Sequence, residues 1–151
     1  MERALRRIPT SLDILEVRKD VETLEFRRDA TGIEMAYGQA AGIPKWATTP
    51  GLAKALDEIE RIAGPALHMM VNRLAPGVEV PTHTDSEGGV RWHLPVVTNP
   101  DAKWWDEQNG EVFMDSAWWG PVPYAIPHRV WNHGEAARIH IVVDVKANNV
   151  E

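Results

Sequence analysis

Two periodicities divide this chain. Over residues 50–63, Leu52, Leu56, Ile59 and Ile62 recur at helical spacing, Thr49-Pro50 supply an N-cap and a first-turn proline, and Gly64-Pro65 close the run. This predicts a helix whose apolar face packs on a sheet. From Ala66 the period falls to two, and turn residues punctuate it. Strands are predicted over Leu67 to Leu74, Val78 to Thr84, Arg91 to Val97, the Trp104-Trp105 segment, Glu111 to Met114, Pro123 to Ile126, Arg129 to Asn132 and Arg138 to Val145. Turns fall at Ala75-Pro76-Gly77 and Asn99-Pro100-Asp101, and Asn109-Gly110 is a hairpin signal. Ahead of the helix, Leu12, Ile14 and Val17 alternate like a short strand, while Val21 and Leu24 mark a short helix. Ala36 to Trp46 is broken by Gly38, Gly42 and Pro44, and reads as a connection or a lid. The expectation is one domain over 1–151, mainly β, with a lead-in layer over 1–65. A sandwich or jelly roll over 66–146 would carry helices on one outer face.

Composition narrows the chemistry. A chain of 151 residues can bury a real core without cross-links, and it contains no cysteine. Disulfides, thiolate metal sites and cysteine nucleophiles are thereby excluded, leaving histidines and carboxylates as the ligand inventory. The net charge of −6 includes no basic block able to neutralise a row of phosphates, so nucleic acid is not expected as a partner. No apolar run reaches bilayer length, which predicts a soluble, cytoplasmic protein without a membrane partner. Oligomeric state is not readable. Seven tryptophans are many for this length, and Trp104 and Trp105 are candidates to line a substrate site as well as to pack.

Six histidines frame the candidate site. On an extended segment His83 and Asp85 point the same way, presenting an imidazole and a carboxylate of the kind that holds iron, zinc or manganese. His128, in Ile126-Pro-His-Arg-Val-Trp-Asn132, starts a late strand, which a jelly roll sets beside an early one. Two histidines and one carboxylate on one face of a metal leave positions open for a co-substrate and dioxygen. Arg138, His140, Val142 and Asp144 share one face of the last strand. If that face lines the lumen, Arg138 needs an anion, and a dicarboxylate would supply one. Arg91 and His93 repeat the pattern beside the candidate ligands.

In their order, His83-X-Asp85, Arg91-X-His93-Leu-Pro, Pro127-His128-X-Val130-X-Asn132 and Arg138-Ile-His-Ile-Val-Val-Asp144 resemble the aspartyl/asparaginyl beta-hydroxylases, a family of Fe(II)/2-oxoglutarate-dependent oxygenases. The likeness covers roughly residues 67 to 145. It implies a double-stranded β-helix, a jelly-roll or cupin-like form, and a dioxygenase that hydroxylates an unactivated C–H of an amino acid or of a side chain in a peptide. Its cofactors would be Fe(II), 2-oxoglutarate as co-substrate, and dioxygen. By resemblance His83, Asp85 and His128 ligate the iron, Arg138 pairs with the distal carboxylate of 2-oxoglutarate, and Arg91 with His93 serves the end nearer the metal. Asn132 and His140 are candidates for supporting contacts behind the ligands, and no side chain is needed as a catalytic base. Some beta-hydroxylases lack the carboxylate ligand, so Asp85 loosens the tie to aspartyl or asparaginyl substrates and argues against halogenation.

Two other readings remain open on the residues. One is a small cupin-like metalloenzyme, an isomerase or hydrolase using the same three ligands. The other is a non-catalytic carboxylate-binding module of the same fold.

Overall fold

The computed structural model describes residues 6–30, 32–36, 49–85 and 90–146. Its elements in chain order are β1 (Ile8–Pro9), α1 (Ile14–Glu22), β2 (Arg27–Arg28), β3 (Glu34–Ala36), α2 (Pro50–Ala63), β4 (Ala66–Leu74), β5 (Glu79–His83), β6 (Val90–Val97), β7 (Ala102–Asp106), β8 (Gly110–Val112), β9 (Trp118–Val122), β10 (His128–Asn132) and β11 (Arg138–Val145). The reading of Ala36 to Trp46 as connection or lid lies outside the described residues beyond Ala36.

All strand pairs are antiparallel, and the strands form two sheets, β1-β9-β6-β11-β4-β3-β2 and β5-β10-β7-β8. From β4 onward the chain passes repeatedly from one sheet to the other, which is the path of a double-stranded β-helix. The register follows from the period-two pattern. On β11, Ile139, Ile141, Val143 and Val145 join Trp92, Leu94 and Val96 of β6 in one core, together with Val17 and Val21 of α1 and Leu52, Ala55 and Ile59 of α2. The helices therefore cover the outer face of the larger sheet. The alternate residues of these strands face the space between the sheets, where Leu74, Val80, Trp104, Met114, Val122 and Val130 form a second, smaller core.

Two expectations need correction. The strand expected around Leu12 to Val17 is the start of α1, because Ile14, Val17 and Val21 also satisfy helical spacing. Asp13 decides between them: its side chain accepts from the Leu15 and Glu16 amides. The strand expected at Pro123 to Ile126 is a connection, and the strand of that region is β9, four or five residues earlier. Two prolines within 123–127 deprive that segment of ladder donors, while Trp119, fully buried, anchors β9 in the helix-side core.

The helical layer is tied to the sheet by a buried acid. Glu58 on α2 is 5% exposed and accepts from the Ser11 amide (2.8 Å) and hydroxyl (2.6 Å), the Thr10 hydroxyl and Trp119 Nε1 (2.7 Å). Burial opposes its ionisation, but the bonds from Ser11, Thr10 and Trp119 outweigh that and hold its carboxyl below the usual 4.5. The helices cross at Gly51, whose amide donates to Asp20 Oδ2 at 2.6 Å. Among the described residues no helix is long and apolar enough to cross a membrane.

Candidate active site

The antiparallel pairing of β5 with β10 sets His83 directly opposite His128, and Asp85 follows two residues beyond the end of β5. The ring centroids of His83 and His128 lie 4.3 Å apart. His83 Nε2 is 3.7 Å from Asp85 Oδ1, and His128 Nε2 is 3.3 Å from Asp85 Oδ2. One ligand atom from each of the three falls within 4.8 Å of the others, so a single ion can be shared by all three.

Both rings are oriented by the backbone. His83 Nδ1 lies 2.7 Å from the Pro81 carbonyl, and His128 Nδ1 lies 2.8 Å from the Ile126 carbonyl. A carbonyl only accepts, so each Nδ1 carries a proton and it is each Nε2 that faces Asp85. This is the usual outer-shell arrangement for a metal-binding imidazole. Burial pushes the His128 imidazole below 6.5, although the Ile126 carbonyl opposes that, so the ring is neutral and ready to ligate near pH 7. Behind His128 the Trp104 ring stacks at 4.7 Å and 11°, and its Nε1 donates to the fully buried Asp106 at 2.8 Å.

The lumen beyond these three residues is cationic and polar. Arg138 is 4% exposed, and burial pushes its guanidinium down to about 9, still protonated at neutral pH. Among the described residues nothing pairs with it. His93 and His140, both buried, meet through their Nδ1 atoms at 3.0 Å. Desolvation, helped by the charge on Arg138, holds both imidazoles well below 6.5. Two neutral rings joined through Nδ1 carry opposite tautomers, so one presents an Nε2–H donor and the other a bare Nε2. Across the β4–β11 pairing from His140 stands Asn72, whose carboxamide oxygen is buried without a hydrogen-bond partner.

Arg91 is differently placed. Its Nε and Nη2 donate to Asp144 Oδ1 and Oδ2 at 2.8 and 3.1 Å, and its Nη1 lies 3.7 Å from Asp85 Oδ2. Burial disfavours ionisation of Asp144, but hydrogen bonds from His68 and Arg91 outweigh it and hold the carboxyl at about 2.

Of the residues expected from the sequence, His83, Asp85 and His128 come together, and Arg138, His93 and His140 are buried in the same lumen. Asn132 is not brought to the ligands: it is fully buried, its Nδ2 donates to the Leu74 and Ala136 carbonyls, and its Oδ1 accepts from the Gly134 amide. It shapes the β10–β11 turn at the opposite end of β10. Trp104 and Trp105, adjacent on a strand, must face opposite ways. Trp104 is packed under His128, and Trp105 lies on the outer face, 5.7 Å from the Arg129 guanidinium. The sequence reading missed Asn72, Asp106 and the pairing of Arg91 with Asp144. For the last, a signal existed, since Asp144 shares the period-two face of Arg138.

The sequence profile of the aspartyl/asparaginyl beta-hydroxylase family matches residues 33–148. The chain belongs to this family. No curated protein matches this family member. Solved structures share its fold. One is HygX from Streptomyces hygroscopicus with nickel and 2-oxoglutarate bound, at TM-score 0.69 and 11% identity over 96% of this chain and 83% of that one. Another is an oxidoreductase of the 2OG-Fe(II) oxygenase family from Burkholderia pseudomallei, at 0.68 and 12% over 96% and 88%. A third is a prolyl-4-hydroxylase from Pseudomonas putida, at 0.63 and 13% over 94% and 92%. Family and fold together are those of 2-oxoglutarate/Fe(II) oxygenases of the hydroxylase type.

Proposed function

We propose that this family member is an Fe(II)/2-oxoglutarate-dependent dioxygenase that hydroxylates an unactivated C–H of an amino acid, free or within a peptide. The observation that carries the reading is Arg138: a buried guanidinium without an acidic partner among the described residues, in the lumen that His83, Asp85 and His128 border. A buried cation left unpaired is costly, and a bidentate carboxylate is the ligand that offsets the cost. The donor set fits iron: two imidazoles and one carboxylate are the ligands of non-haem Fe(II) oxygenases. When bound, Fe(II) and 2-oxoglutarate supply the oxidising power, one oxygen atom of dioxygen entering the substrate C–H as 2-oxoglutarate becomes succinate and carbon dioxide. The chain's own residues hold and aim. His83, Asp85 and His128 would hold the metal, and Arg138 would pair with the distal carboxylate of 2-oxoglutarate. His93 offers an imidazole toward the end nearer the metal, its tautomer matched to that of His140. No side chain transfers a proton in this scheme. HygX, a relative in fold, was solved with nickel and 2-oxoglutarate bound, which supports the same pairing of metal and co-substrate.

The test is anaerobic addition of Fe(II) and 2-oxoglutarate, watched for the weak visible band of the chelate, followed by succinate release in air with a panel of amino acids and peptides. The band should appear, and one class of substrate should raise succinate release. Retention of zinc with no band would overturn the oxygenase reading and favour a cupin-like hydrolase or isomerase. A band without turnover on any substrate would favour a carboxylate-binding module.

A further inference from the structure

One side chain reaches both halves of the lumen. Trp104, in the middle of β7, is 5% exposed and lies face to face with His128, at 4.7 Å between ring centroids and 11° between planes. It meets His93 edge-on, at 5.8 Å and 68°. His128 is a proposed metal ligand and His93 stands at the proposed co-substrate end, so the indole spans the two. The indole is itself held. Asp106, two residues on and on the same face of β7, is fully buried, and its two oxygens divide their work. Oδ1 accepts from the Gln108 and Asn109 amides at 2.8 and 2.7 Å and from Asn109 Nδ2 at 3.1 Å, which closes the β7–β8 turn. Oδ2 accepts from Trp104 Nε1 at 2.8 Å and from Asn109 Nδ2 at 3.0 Å. This turn is tied to the strand that carries His128: Asp106 pairs with His128 across β7 and β10, and the Glu107 amide donates to the Pro127 carbonyl at 3.0 Å.

We infer that Trp104 is a positioning residue: its indole, locked by Asp106, fixes the plane of His128 and the place of His93 relative to it. The inference rests on the reading of His128 as a metal ligand. A histidine χ2 is a broad torsion, and the bond from His128 Nδ1 to the Ile126 carbonyl at 2.8 Å narrows it without fixing the tilt of the ring. A parallel indole removes the tilt, because either edge of the imidazole would otherwise drive into the indole face. Nε2, the atom that faces Asp85, is thereby aimed. An aliphatic side chain could fill the same space but has no plane to impose. His83 is built differently. It has the carbonyl bond at Nδ1, but its side chain is 36% exposed against 4% for His128, and the ring beside it, that of His128, is tilted by 56°. The two imidazoles form an unequal pair, one set by the core and the other able to adjust when an ion enters.

Four substitutions separate the plane from the packing. Trp104→Leu removes the plane, and Trp104→Phe keeps a flat ring. Asp106→Asn keeps the oxygen that closes the turn but sets an amide N–H against Trp104 Nε1–H, donor against donor. Val112→Ala thins the same small core from β8 and is the control for lost packing. The first readout needs no ion: in the metal-free protein the indole face shields the His128 ring protons, so their NMR resonances should lie upfield and should return toward the ordinary position in Trp104→Leu. The second probe is Co(II), whose visible bands report ligand geometry in the absence of turnover. Trp104→Leu is expected to weaken Co(II) binding by about 10- to 100-fold and to alter the bands. Asp106→Asn should do the same to a smaller degree, Trp104→Phe should recover most of the affinity, and Val112→Ala should change neither affinity nor bands. Trp104→Met, longer and more adaptable, carries the test if Trp104→Leu does not fold. Wild-type bands and affinity in Trp104→Leu would overturn the inference, and so would an equal loss in Val112→Ala, which would reduce Trp104 to packing. Wild-type protein that binds no Co(II) removes the metal reading, and the His128 resonances then still decide whether Trp104 sets the ring.

Discussion

Arg138→Met replaces a cation that has no partner among the described residues with an apolar side chain of similar length. The fall of the Arg138 guanidinium from its ordinary range to about 9, at about 1.4 kcal/mol per pH unit, corresponds to about 5 kcal/mol of unfavourable burial. Relaxation and water entry reduce what unfolding measures, and substitutions of buried charge by packed apolar groups stabilise by about 1–4 kcal/mol. The ligand-free variant should therefore be more stable than wild type by about 2–4 kcal/mol, raising Tm by roughly 4–16 °C for a chain of this size. The sign has a pH signature. Because the folded-state value is the lower one, the penalty is complete below about pH 9 and is relieved as pH rises from there toward the ordinary arginine range. Ligand reverses the order. A dicarboxylate at a hundred times its Kd adds about 2.7 kcal/mol to wild type and nothing to the variant. The assay is thermal unfolding by tryptophan fluorescence with Mn(II), with and without 2-oxoglutarate. An Arg138→Met protein less stable than wild type without ligand, or still stabilised in full by 2-oxoglutarate, refutes the reasoning.

Three further substitutions probe the frame. A Cβ at Gly51 would meet Val17 Cα at 2.9 Å, Glu16 O at 3.1 Å and Asp20 Oδ2 at 2.8 Å; Gly51→Ala should cost about 1–3 kcal/mol by urea unfolding, and a gain in stability would mean that the helices separate freely. Trp104→Leu removes the ring stacked on His128 and the donor to Asp106; about 3 kcal/mol of stability should go, with metal affinity falling as well, and intact metal affinity would show that the stacking does not orient the ligand. Glu58 and Asp144 both titrate below their ordinary 4.5 and 3.8, so their stabilisation is present above those values and is lost as pH falls toward 2. Urea midpoints measured at pH 7, 4 and 3 should decline less steeply in Glu58→Gln than in wild type, and parallel declines would count against the hydrogen-bonded acid.

The strand half of the chain was legible because its alternation is strict. In β11 one face is wholly aliphatic and the other holds Arg138, His140 and Asp144, so register and sidedness follow from the residues alone. The helix at 50–63 was legible through Pro50 and Gly64, which mark its ends by backbone geometry. Less was visible where a short stretch satisfies two periods at once: Leu12, Ile14 and Val17 suit a strand until Asp13 is seen to cap the next turn. Of the candidate site, His83, Asp85 and His128 were readable because strand order brings early and late segments together. The partners of arginines were not, since sequence shows neither which acid lies across a sheet nor whether one lies there at all. Arg91 and Arg138 look alike in the sequence and differ in that one respect. Asn132 misled for a related reason: a polar residue on the inner face of a ligand-bearing strand serves the turn when backbone carbonyls reach it first.

The opposition of His83 to His128 across β5 and β10 also orders events in time. Positions 45 apart in the chain (128 − 83) are brought together by main-chain pairing, so loop closure is completed by the sheet and not by the ion. An unfolded chain presents the same imidazoles at random separations and holds no ion firmly. On the proposed reading of these residues as metal ligands, loading is the last step of assembly, and chelation should strip the ion while leaving the sheet paired. What chelation would set free is the rim, because the ends of β5 and β10 would lose the proposed link through the ion. Amide exchange around Pro81 to Asp85 and Ile126 to His128 should then quicken, while β4, β6 and β11 keep their protection.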